Sequence, residues 1–261
     1  MSIFNGFVRS AIIGCAALVG STAGQVFAEN PGGWEYSVAP MYLWGKNIDG
    51  ISTLAGMDAP LELDFKDDIL ENLDAAFSIH FEARQGDLTL FAEYNYGKLD
   101  PSSEANIGPV TINTDIEFRD VMGELGVAYA FYDSGPTRWE VLGGVRQFDQ
   151  ELDVEIDGPD ILPEKISGGD DWWHGFGGFR VQRKVSERWT FVGRADIGYK
   201  NSNNKAGQVT GFFDYRFRGW GSAFVGYRYL DTDYDNRKSG PDGYGFDAKQ
   251  QGPIIGLNLY F

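Results

Sequence analysis

The acid–base chemistry this chain could perform rests on two histidines and a surplus of carboxylates. His174 follows Asp170 and Asp171 closely, and a histidine beside acids has the makings of a general base. His80 lies two residues from both Ser78 and Glu82, an arrangement that puts all three on one face of a strand. Neighbours at i and i+2 on a strand stand roughly 6.5–7 Å apart. No direct bond is therefore expected within that group, and a nucleophile–base pair would have to form across strands. Asp231, Asp233, Asp235 and Asn236, with Asp242 twelfth in the run, partly resemble a calcium loop. Asn236 stands where the turn glycine belongs and Asp242 where the bidentate Glu belongs, so the reading is an acidic solvated loop, with no metal site and no cofactor. The enzymatic alternative is a hydrolase whose site lies at a rim near His174. The preferred reading has no catalytic residues.

More systematic than the histidines is the alternation of charged and apolar residues. Ala75, Phe77, Ile79, Phe81 and Ala83 share one face, and Asp74, Ser78, His80, Glu82 and Arg84 the other. Leu125, Val127, Tyr129 and Phe131 oppose Glu124; Ala223, Val225, Tyr227 and Tyr229 oppose Arg228. In the last segment Pro253, Ile255, Leu257, Leu259 and Phe261 share a face opposite Ile254, Asn258 and Tyr260. Period two over about 10 residues is what a strand crossing a bilayer requires. Ten such strands are expected, over 34–45, 73–84, 88–98, 115–132, 137–155, 171–185, 189–200, 207–218, 220–231 and 246–261. Short and long connections alternate, as short periplasmic turns and long outer loops do in bacterial barrels. The first long loop, 46–72, leaves two options. Ile48–Leu54 and Leu61–Phe65 could add a hairpin, giving twelve strands, or form an outer flap followed by a helical turn at Asp67–Leu73. Ten spanning strands are preferred, because those pieces are short and acidic. The fold expected is all-β, an antiparallel transmembrane β-barrel.

Aromatic residues fall near both ends of the apolar faces, as membrane girdles do. Trp34, Phe131, Trp139, Trp189 and Phe261 are assigned to the periplasmic end. Tyr42, Trp44, Tyr96, Trp173, Tyr199 and Tyr229 are assigned to the outer end. At the amino end, Arg9, the apolar run Ala11–Val19 and Val26-Phe27-Ala28 read as a signal peptide, residues 1–28, cleaved after Ala28. Cys15 follows Ile13-Gly14 but sits too early in the apolar run for a lipid-attachment box. It is the one cysteine, so residues 29–261 would carry no thiol chemistry. With 38 acids against 22 Lys and Arg, the net charge of −16 excludes a nucleic-acid footprint.

The terminal strand ending in Leu257, Leu259 and Phe261 resembles the outer-membrane assembly signal. Ala39-Pro-Met-Tyr-Leu-Trp44 through Asp49-Gly50, and Leu63 to Asp74 running into His80-Phe-Glu-Ala-Arg84, are similar to a recurring, largely uncharacterised group of small proteobacterial outer-membrane β-barrel proteins. That resemblance covers residues 29–261 and implies location in the cell outer membrane. It also implies contact with lipid and lipopolysaccharide, and insertion by the barrel assembly machinery. It brings no catalytic motif. Inward-facing charges are expected at Glu82, Glu93, Glu124, Glu140, Arg146, Arg180, Lys184, Arg194, Asp196, Asp214, Arg216 and Arg228. They admit two readings: a lumen filled by paired charges in a structural or surface-interaction protein, or a narrow small-solute channel. A bore of ten strands favours the filled lumen.

Overall fold

The computed structural model describes residues 33–69, 71–100, 102–107, 110–157 and 165–261. The expected signal peptide and Cys15 lie outside the described residues. Ten strands close on themselves: β1 (Glu35–Trp44), β4 (Leu73–Gln85), β5 (Leu88–Leu99), β7 (Val110–Ser134), β8 (Thr137–Asp157), β9 (Lys165–Lys184), β10 (Trp189–Asn201), β11 (Asn204–Arg218), β12 (Gly221–Asp235) and β13 (Tyr244–Tyr260). Every pairing is antiparallel, and β13 closes the ring by pairing with β1. At the seam Tyr36 and Phe261 exchange backbone hydrogen bonds of 2.9 and 3.0 Å, and their rings stack. Among the described residues no helix is long and apolar enough to cross a membrane; the strands do the crossing.

The short turns gather at one end, the periplasmic end in barrels of this kind. Two-residue hairpins such as Gly86-Asp87 and Gly135-Pro136 link strands there. Gly86 and Gly135 have φ of +58° and +60°, which a side chain would oppose. At the other end the strands run on past the apolar belt. β2 (Asn47–Leu54) continues β1 along β13, and β3 (Met57–Leu63) folds back on β2. β6 (Ser102–Ile107) pairs with the far end of β7. These three strands lengthen the wall without joining the closed ring, so the first long loop is an outer hairpin on a ten-stranded barrel and not a further pair of spanning strands. A π-helical turn, Phe65–Ile69, follows it, starting two residues earlier than the expected helical turn. The segments 99–114, 201–206 and 232–245, expected to be loops, are largely strand: Ser202-Asn203 forms a tight turn, and β12 runs to Asp235.

Two aromatic assignments are corrected. Tyr42 is buried in the lumen and Trp44 packs against lumen clusters, while Met41 and Leu43 face outward. The cause is a bulge between Val38 and Met41, centred on Pro40. An extra residue shifts the facing of everything after it by one position. Trp34, Phe131, Trp139, Trp173, Trp189, Tyr199 and Phe261 do stand on the outer surface.

Candidate functional site in the barrel lumen

The inward faces of the ring converge on two storeys of side chains. The lower storey is ionic. Glu124 is fully buried and its carboxylate meets three guanidinium groups: Arg146 Nε at 2.7 Å, Arg194 Nη2 at 2.9 Å and Arg228 Nη2 at 3.5 Å. Asp196 accepts from Arg146 and Arg194, each at 2.8 Å. Glu93 accepts from Arg228 at 2.5 Å. Three carboxylates from β5, β7 and β10 thus face three arginines from β8, β10 and β12. Gln208 and Tyr42 complete the shell of Arg228, at 2.6 and 3.1 Å. The Arg194 and Arg146 guanidinia also lie over the Phe176 ring at 5.1 and 5.0 Å.

Toward the short-turn end a second group forms around Glu140 and Arg180, directly opposed on β8 and β9 and bonded at 2.5 Å. Arg180 also pairs with Glu82 across the lumen, and Arg138 donates to Glu140 at 3.1 Å. His80 Nδ1 lies 3.1 Å from Glu93 and Nε2 lies 3.3 Å from Glu82, joining the two groups. The contact within β4 overturns the expectation that i and i+2 groups stay apart. Long side chains lean along the strand and close a gap their Cβ atoms leave open; Arg194–Asp196 does the same.

Three expected members stand apart. Asp214 has no cation partner among the described residues and accepts from Ser222 at 2.5 Å and Asn258 at 3.1 Å. Arg216 and Lys184 are exposed, because they lie at the mouth beyond the packed charges. Arg216 stacks over the Tyr260 ring at 4.1 Å. Sequence reading placed His80 on the inward face, where it is found, and missed Tyr42, Arg138 and Lys46 as members. Lys46 pairs with Asp120 on β7, and the Pro40 bulge hid the facing of its segment.

The upper storey is apolar. Ile48, Met122, Phe148, Trp172, Leu230, Tyr244 and Phe246 form one buried cluster, with Ile69 added from the π-helical turn. Trp172 lies between Tyr234 at 4.2 Å and Phe148 at 5.1 Å, both stacked. His174 sits just below this layer and is fully buried, its Nδ1 3.0 Å from Asn204 Oδ1 and its ring against Phe148. It is therefore not a rim residue. Asp170, expected beside it, instead accepts from Tyr234 at 3.1 Å and Asn236 at 2.9 Å. Successive even positions of β9 point inward, but Asp170 lies one full storey higher.

No protein-family model matches the chain, and no curated protein does. Among solved structures it is similar to the outer membrane protease OmpT from Escherichia coli, at 11% identity and TM-score 0.56 over 91% of this chain and 99% of that one. It is also similar to the translocator domain of autotransporter NalP from Neisseria meningitidis, at 12% identity and TM-score 0.51 over 98% and 95%. Likeness at this identity speaks for architecture alone. With a closed antiparallel ring of ten strands and aromatic residues on its outer surface, the chain is a small outer-membrane β-barrel.

Proposed function

We propose that this barrel is a structural or surface-interaction protein of the outer membrane whose lumen is closed along its axis, and that it is not a diffusion channel. The observation that carries this reading is the buried carboxylate of Glu124 meeting Arg146, Arg194 and Arg228, capped by the apolar Trp172 layer. Charges that line a water-filled pore can stay hydrated. Charges withdrawn from water must pair, and these pair with one another. The apolar layer above adds a second obstacle to ions. Interaction with lipopolysaccharide and lipid falls to the outer wall, where β2, β3 and β6 extend the sheet. The edge strand carrying Leu257, Leu259 and Phe261 is offered to the assembly machinery. Residues 1–28 act as the cleaved export signal, and the proteobacterial kinship suggested by Ala39–Trp44 belongs to the same proposal.

The test is conductance in planar bilayers. The purified barrel is expected to give no steady porin-sized steps. Stable single-channel steps in the unmodified protein would overturn the closed lumen, and so would a retained dye leak from vesicles that carry the folded barrel.

A further inference from the structure

One outward position of the barrel wall breaks the apolar rule. Along β9 the residues facing away from the lumen are Trp173, Gly175, Gly177, Phe179, Val181 and Arg183. Arg183 is exposed and stands at the short-turn end, among the outward aromatic residues Phe131, Trp139 and Trp189. It opposes Thr137 of β8 on one side and Phe191 of β10 on the other. A charge on the lipid face is costly at mid-depth and nearly free at the interface, where a long side chain reaches polar groups. Position alone would leave Arg183 a solvated charge.

Its surroundings are more specific. Arg183 lines a groove of about 510 Å³ together with Phe131, Tyr132, Thr137 and Trp139. A bulge between Ala130 and Tyr132 shapes this groove. It leaves Phe131 and Tyr132 exposed in succession, where a regular strand would turn one of them into the lumen. Tyr132 then lies directly opposite Trp139, as Thr137 lies opposite Arg183. Phe131 leans across β8 to meet the Phe179 ring edge-on, with centroids 6.4 Å apart. The groove thus has an apolar side, Phe131 and Phe179, and a polar side, Tyr132, Thr137, Trp139 and Arg183. The two hydroxyls, the indole N–H and the guanidinium of the polar side have no hydrogen-bond or ion-pair partner among the described residues.

Charge decides what the groove can hold. Among the described residues no carboxylate lines it, and Asp133, next to Tyr132, is taken by Arg138 at 2.5 Å. A ligand of net negative charge is matched by Arg183, whose fork of N–H donors suits phosphate oxygens. A head that also carried an ammonium would set that cation beside Arg183 with no acid to balance it. The apolar side takes hydrocarbon, as the rest of the outward face does. We infer that the groove is a site for one anionic glycerophospholipid of the inner leaflet, with an uncharged, hydroxylated head group. Its phosphodiester sits on Arg183 and the Thr137 and Tyr132 hydroxyls, and an acyl chain lies on Phe131 and Phe179. The site is on the outer wall and is independent of whether the lumen is closed along its axis.

The experiment is native mass spectrometry of the full barrel released from detergent micelles, titrated with phosphatidylglycerol and with phosphatidylcholine of the same acyl chains. One phosphatidylglycerol should be retained, about fivefold more tightly than phosphatidylcholine. Arg183→Gln should weaken it about tenfold, and Thr137→Val, which keeps the shape and removes the hydroxyl, about fivefold. Arg188→Gln, which removes another exposed cation at the same end, should leave it unchanged. Heat-modifiable migration checks that each variant is folded, and either of the two groove variants suffices for the test. Equal affinity for the two lipids would overturn the proposal, and so would groove variants that bind as the unmodified barrel does. An equal loss in Arg188→Gln would reduce the effect to general basic character and overturn it too. Displacement of the lipid by an equal concentration of glycerophosphoglycerol, the head without its chains, would leave the apolar side without a role. A dimer that disappears in Arg183→Gln would place a second copy of the chain in the groove instead of lipid.

Discussion

Removing Glu124 is the sharpest perturbation of the ionic storey. In the intact barrel three carboxylates, Glu93, Glu124 and Asp196, face three arginines, Arg146, Arg194 and Arg228. Glu124→Ala leaves two acids for three guanidinia. Arg146 and Arg194 then share Asp196, and Arg228 keeps Glu93. Removing one partner of a buried pair costs about 3–5 kcal/mol, because an uncompensated charge stays behind. A Coulomb estimate agrees: a pair at 4 Å and an effective dielectric of 20 is worth about 4 kcal/mol. Glu124→Gln keeps the volume and one acceptor and should lose less, about 1–3 kcal/mol. Restoring the balance should recover stability, so the double variant Glu124→Ala, Arg194→Ala should cost less than the sum of its parts by about 1–3 kcal/mol. Urea unfolding of the barrel in vesicles, followed by tryptophan fluorescence and by heat-modifiable migration, measures all of these. A loss under about 1 kcal/mol for Glu124→Ala, or strict additivity in the double variant, would refute the claim that these charges close the lumen by pairing.

Two further outcomes follow from the upper storey. Trp172→Ala should destabilise the barrel by about 3–5 kcal/mol in the same unfolding assay, because a buried ring stacked between Phe148 and Tyr234 leaves a cavity the rigid wall cannot collapse into. Tyr244 lies above the membrane belt, paired with Leu54, and donates to Gln150 at 2.7 Å. Burial and the nearby Asp120 carboxylate push its phenol well above the usual tyrosine range. The folded state thus favours the neutral phenol. The stability this confers is complete below about pH 10, where the unfolded phenol is also neutral, and is lost as pH rises toward the folded value. Tyr244→Phe should therefore cost about 0.5–1.5 kcal/mol at neutral pH and flatten the alkaline fall in stability. An unchanged alkaline slope would count against the assignment.

How much of this was legible in the residues depends on what dictates each face. Between the two aromatic girdles, lipid demands an apolar outward face and the lumen takes the charges. The alternation of Leu125 and Val127 with Glu124, or of Val225 and Tyr227 with Arg228, therefore announces both strand and facing. The pairings Glu82–Arg180 and Glu93–Arg228 join strands far apart around the ring; alternation shows that each group points inward, and only the register shows which ones meet. Tyr42 and Trp44 mislead for a local reason, since Pro40 at the bulge reverses the phase, and a proline inside an alternating run was the signal available. Above the girdles the rule lapses. Arg119 on the outer stretch of β7 pairs across the ladder with Asp149 and Glu151 of β8, Lys98 with Glu117, and Lys165 with Asp153. Lys98, Glu117, Arg119, Asp149, Glu151 and Asp153 fall within the expected strands, whereas Lys165 falls in an expected loop and yet sits on β9. Where neither lipid nor a packed interior constrains the outward face, backbone hydrogen bonds and cross-strand charge pairs carry the ladder onward. Hydropathy keeps no record of that, and so the outer extensions of the wall, β2, β3, β6 and the far ends of β7, β8 and β9, become visible only in the register.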